Sequence, residues 1–126
     1  ILGAITTENY SKEYIDKVIT LGSPFGGSPF IDTLDRLTYG LYSQHVNRSK
    51  VLHQMKTNSD ILSELREKMS KSETPYIHVG GTFDFIVPLE YAGLDKNKII
   101  KHECSHYGFV ALQSYNLWHK KIIPLL

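Results

Sequence analysis

Two side chains, Asp84 and His106, stand at positions where a carboxylate and an imidazole do proton chemistry. Asp84 lies in "VGGTFDFIVP", where an apolar run feeds two glycines and then a carboxylate. His106 closes "HECSH", 22 residues later, after another apolar stretch. A carboxylate beside an imidazole fixes its tautomer and stabilises the imidazolium formed when it takes a proton. The same two residues also have plain structural uses, as a turn aspartate and a helix-capping histidine. Spacing alone leaves both open.

"HECSH" also fits H-E-x-x-H, a zinc-protease signature. That chemistry requires the two histidines on one helical face. Ile99 and Ile100 precede the motif and read as strand. Phe109 occupies the place where a metzincin carries glycine, and no Asp or Glu follows Glu103. A zinc hydrolase is therefore a minor alternative, and no metal ligand is assigned. Cys104 reads as a small buried filler. His102 and Glu103 read as surface residues at a strand end. His45, His53 and His78 read as ordinary polar positions.

A nucleophile is harder to find. Ser23 and Ser28 lie among glycines in "GSPFGGSP", but no G-x-S-x-G occurs in the 126 residues. Both serines read as loop residues near the site.

The elements that position these groups follow from periodicity. Ile15, Val18, Ile19 and Leu21 form a β-branched run ended by Gly22-Ser23-Pro24. Phe30, Leu34, Leu37 and Leu41 recur at helical spacing. Val46, Val51, Leu52 and Met55 anchor a polar, irregular stretch. A second helix carries the stripe Ile61, Leu62, Leu65 and Met69, capped by Asn58 or Ser59, with Glu64 and Lys68 paired on its wet face. "PYIHVGG" and "NKIIKHE" are two further strands. Ala111, Tyr115, Trp118 and Ile122 mark a final helix, broken near Pro124. Residues 1–10 read as a short helix with Ile1, Leu2 and Ile5 on one face. Strands alternating with helices predict an α/β fold, a parallel sheet flanked by helices, with the chemistry at the carboxyl ends of the strands.

Composition narrows the partners. Fourteen basic and thirteen acidic residues are interspersed, for a net charge of +1, so no nucleic-acid footprint is present. The uncharged stretch Val18–Ile31 is broken by Pro24, Pro29 and three glycines and cannot span a bilayer. No transmembrane segment is expected. A single cysteine excludes a disulfide framework within the chain.

Three stretches in order, "IDKVITLGSPFGGSP" at 15–29, "GGTFDFIVP" at 80–88 and "SHYGFVAL" at 105–112, resemble the C-terminal half of an α/β-hydrolase of the lipase and esterase kind. The resemblance covers nearly the whole chain, 1–126, as a partial domain: the last three strands and the C-terminal helix, with 29–70 as a helical, lid-like insert. It implies a Ser-Asp-His triad with Asp84 as acid and His106 as base, in the order that this fold uses. It implies a nucleophilic serine upstream of Ile1, so residues 1–126 alone are expected to be inactive. Ser23, Phe25 and Phe30, with Tyr39 and Tyr42, are expected around an apolar pocket for an ester or lipid-like substrate, with plain core packing of the aromatics an equal alternative. No cofactor is implied. The expected macromolecular partner is the remainder of the fold or a second copy of the chain, because the strand at 17–21 becomes an open edge. The alternative from another class is a non-catalytic α/β remnant that serves as a binding or interaction module.

Overall fold

The structure, a computed structural model, describes residues 15–38, 50–109 and 114–125. Its centre is a three-stranded parallel sheet of β1 (Val18–Leu21), β2 (Tyr76–Gly81) and β3 (Ile100–His102), in the order β1-β2-β3. Val18 pairs with Tyr76 and Leu21 with Val79; Val79 pairs in turn with Ile100 and Gly81 with His102. The expected α/β class with parallel strands is what forms. All three strands run the same way, so the loops that leave them gather at one edge.

Helices fill the β1–β2 crossover. Helix α1 (Pro29–Leu37) starts with proline in its first turn, where the missing N–H costs nothing. Helix α2 (Lys50–Gln54) is short, and α3 (Asp60–Ser70) is the longest among the described residues. Leu62, Leu65 and Met69 of α3 are buried, while Ile61 is half-buried. Lys68 and Glu64 pair at 2.8 Å on its outer face. Ser59 occupies the cap position but its side chain makes no capping bond. Instead Asp60 brings negative charge to the first turn, where the helix dipole favours it.

The apolar spacing in α1 does not all turn inward. Ile31 is buried, whereas Phe30 and Leu37 are exposed. The C-terminal segment also departs from a simple helix. It runs as α4 (Ser114–Leu117), a π turn (Trp118–Ile122) and a 3-10 turn (Ile123–Leu125). Bonds of the i→i+5 type bring positions five apart into line. Leu117 and Ile122 are therefore fully buried together, and Tyr115 and Trp118 face outward. They join Val79, Cys104 and Phe109 in the main core cluster. A second cluster holds Phe25, Leu65 and Met69, and a third Val87, Ala92 and Ile99. The expected helix at 1–10, and Tyr39, Leu41, Tyr42, His45, Val46 and Ala111, lie outside the described residues. Among the described residues no helix is long and apolar enough to cross a membrane.

Candidate active site

The loops after β1, β2 and β3 meet at the carboxyl edge of the sheet. β1 ends at Gly22, whose N–H donates to the Val79 carbonyl at 2.9 Å and whose φ of +52° bends the chain away. That left-handed conformation favours glycine. Space demands it too: a Cβ there would lie 2.6 Å from the Phe109 ring and 3.4 Å from Asp84 Oδ2.

The loop after β2 is zipped onto the segment after β3. Thr82 N–H donates to the His102 carbonyl at 2.9 Å, and Phe83 N–H to the Cys104 carbonyl at 3.1 Å. Gly81 permits this approach, since a Cβ there would sit 2.6 Å from the Cys104 oxygen. Gly80 and Gly81 complete β2, and their smallness rather than their φ is what the site uses.

Asp84 is thereby delivered into a closed position, its side chain fully shielded from solvent. Oδ1 accepts from the backbone N–H groups of Ile86 at 3.0 Å and Val87 at 2.9 Å, which fixes the carboxylate plane. Oδ2 remains for His106 Nδ1, 2.8 Å away. A carboxylate only accepts, so Nδ1 carries the proton and Nε2 of the neutral ring presents a lone pair. His106 opens a 3-10 turn (His106–Phe109), and its side chain is one-third exposed. Nε2 has no hydrogen-bond partner among the described residues. A shielded, doubly anchored carboxylate holding one ring nitrogen and a free second nitrogen is the arrangement of an oriented general base.

"HECSH" does not form a helix. His102 ends β3 and His106 begins the 3-10 turn, so the two imidazoles share no helical face. His102 is also not the surface residue that its charged neighbours suggest. It is nine-tenths buried, beside the Phe109 ring, while Glu103 is exposed. Cys104 is buried, and desolvation first, then the charge of Asp84, raises its thiol above the ordinary range.

Loop residues 22–28 are placed less openly than the sequence suggests. Phe25 is completely buried, closed in by Leu65, Met69, Tyr76 and Leu94. It packs the core and has no surface left to offer a substrate. Ser28 is also fully buried and donates its hydroxyl to the Ile86 carbonyl, tying this loop to the one that carries Asp84. Ser23 is half-buried on the same loop, and Phe30 is exposed on α1.

Two features escaped the sequence. Phe83, Phe85 and Tyr107 flank Asp84 and His106 and are 60%, 82% and 72% exposed, an apolar rim beside the pair. Direct adjacency to the two polar residues was the available signal. His78 is the second feature. It is buried in β2 with Nδ1 2.8 Å from Thr20 Oγ1, edge-on to Phe25 and stacked on Tyr76. Alternation along β2 hints at a buried position, but a histidine there breaks the apolar pattern.

Compared with known protein families, curated proteins and solved structures, the chain matches none.

Proposed function

We propose that this chain supplies the acid and base of a serine-dependent carboxylic ester hydrolase, as the C-terminal part of an α/β-hydrolase fold. The contact between Asp84 Oδ2 and His106 Nδ1 at 2.8 Å carries the proposal. In the proposed reaction a serine Oγ attacks the ester carbonyl while His106 Nε2 takes its proton. The tetrahedral intermediate collapses, the acyl group stays on the serine, and His106 gives the proton to the departing alcohol. Water then repeats the cycle and releases the acid. Asp84 orients the ring and stabilises its charged form. The rim of Phe83, Phe85 and Tyr107 supports an apolar or lipid-like ester as substrate.

The serine is proposed to come from outside these residues, since no G-x-S-x-G occurs in them. β1 lies at one side of the sheet among the described residues, which supports association with the rest of the fold or with a second copy. A non-catalytic binding module on the same scaffold is the second reading. It is favoured by Nε2, which meets no hydroxyl among the described residues.

One assay separates the two. A longer chain that carries the elbow serine is expected to hydrolyse p-nitrophenyl butyrate, and the 126 residues alone are not. In the longer chain Asp84→Asn should lower kcat by on the order of 10^4-fold, and His106→Ala by on the order of 10^6-fold. Full activity in His106→Ala refutes the assignment. Hydrolysis by the 126-residue chain, abolished by His106→Ala, moves the nucleophile to Ser23.

A further inference from the structure

A polar cavity lies beside the end of β3, between the Thr82 turn and the C-terminal segment. Its volume is about 540 Å3, within the range of small-molecule sites. Lys101 and His102 of β3, the Thr82 turn, and Asn116, Lys120 and Lys121 of the C-terminal segment line it. Among the described residues Glu103 is the single carboxylate in the lining. Three ammonium groups against one carboxylate leave the cavity positively charged. Lys121 donates to the Lys101 carbonyl, so the C-terminal segment is fastened to β3 across the cavity. Thr82 Oγ1 donates to the His102 carbonyl at 3.4 Å, which leaves its lone pairs free to accept. Lys101 and Lys120 have no side-chain partner among the described residues. His102, nine-tenths buried beside the Phe109 ring, forms the inner wall of the cavity.

We infer that this cavity binds a phosphate-bearing ligand. A dianionic phosphate matches a surplus of ammonium charge that a single carboxylate would leave unbalanced. Lysine ammonium groups serve phosphate as point charges. Asn116 adds a neutral donor to the lysines. The inference is independent of the hydrolase proposal, because none of its residues touches the Asp84–His106 contact.

The test is a titration of the 15N-labelled 126-residue chain with inorganic phosphate and with glycerol 3-phosphate, followed by amide shifts. In parallel, the chain is sedimented with phosphatidylcholine vesicles with and without phosphatidic acid. Saturable shifts at Lys101–Glu103 and Asn116–Lys121 are expected. Lys101→Gln and Lys120→Gln should each weaken binding about tenfold, and Lys96→Gln, exposed and outside the cavity, should not. Saturation by the soluble phosphates without vesicle binding assigns a phosphorylated small molecule. Vesicle binding that requires phosphatidic acid and is lost in Lys120→Gln assigns a lipid headgroup. Shifts that do not saturate, or binding that survives unchanged in both variants, overturn the inference. Circular dichroism of each variant shows that the fold is retained.

Discussion

Replacing Asp84 in two ways separates its structural task from its electronic one. Asp84→Ala removes the acceptor of three N–H groups: Ile86 N at 3.0 Å, Val87 N at 2.9 Å and His106 Nδ1 at 2.8 Å. Val87 is completely enclosed, while Ile86 is half-buried. Each unmet buried donor costs about 1–3 kcal/mol. The imidazole, one-third exposed, recovers part of its bond from water. The expected loss is about 2–5 kcal/mol, or roughly 10–20 °C in Tm for a chain of this length. Asp84→Asn behaves differently. Its amide oxygen can still accept from Ile86 and Val87, and its NH2 then faces His106 Nδ1. A donor in that place forces Nδ1 to accept, and the ring proton moves to Nε2. The stability loss should be only about 1 kcal/mol, the difference between a charge-assisted bond and a neutral one. Thermal melts monitored by circular dichroism give the first readout. Imidazole 15N shifts of His106 give the second, with a protonated Nδ1 in the wild type and a protonated Nε2 in the Asn variant. An Asn variant that melts as low as Ala would show that Oδ1 does not anchor the turn. An unchanged tautomer would show that Asp84 does not orient His106.

Three further outcomes follow from the same structure. Gly22→Ala should cost about 1–2 kcal/mol for the left-handed backbone alone, and more for the methyl 2.6 Å from the Phe109 ring; a melt within error of wild type would deny the close approach. Leu117→Ala should lose about 2–5 kcal/mol from a fully enclosed site, while Trp118→Ala, 45% exposed, should lose much less; the reverse order in urea unfolding would place an ordinary α-helix where the π turn is drawn. Burial lowers the pKa of His78 below its ordinary 6.5, so the unfolded chain takes up a proton at higher pH than the folded one. The stability that His78 contributes is therefore present above about pH 6.5 and is lost as pH falls below it; His78→Gln should flatten stability between pH 7 and 5, and an unchanged slope would contradict this assignment.

The parts of this fold that were legible in the sequence are those set by short-range pattern. The run at Val18–Leu21 ends at a glycine, the stripe Leu62, Leu65 and Met69 keeps one period, and each is a single element. Asp84 and His106 stand directly after strands, so a parallel sheet alone carries both to the same edge. Where local order fails, it fails for a stated physical cause. Tyr115 and Trp118 keep helical spacing with Ile122, yet the π turn inserts one residue of phase and Leu117 takes the inner position. His102 sits between Lys101 and Glu103 and looks exposed, but strand alternation turns it inward against Phe109.

The loop after β1 shows the deeper limit. Ser23, Phe25 and Ser28 share a glycine-rich stretch that invites one functional interpretation for all three. Their environments differ because each is met by a different distant segment. Phe25 is enclosed by residues of α3 and the chain near Leu94, and Ser28 is bonded to Ile86, 58 positions away. Ser28 N–H is also taken by the Met55 carbonyl at 2.7 Å. These ties hold the loop against the turn that contains Asp84. A serine beside glycines is thus used here as a strut: its hydroxyl proton is committed to a carbonyl, and its solvent exposure is nil. Such a role depends on which carbonyl the fold brings within reach, and nothing within a few residues of Ser28 encodes that. The carboxylate that orients His106 is in turn held by a loop whose own position depends on this bond, so the geometry of the pair rests on contacts that only the closed sheet edge creates.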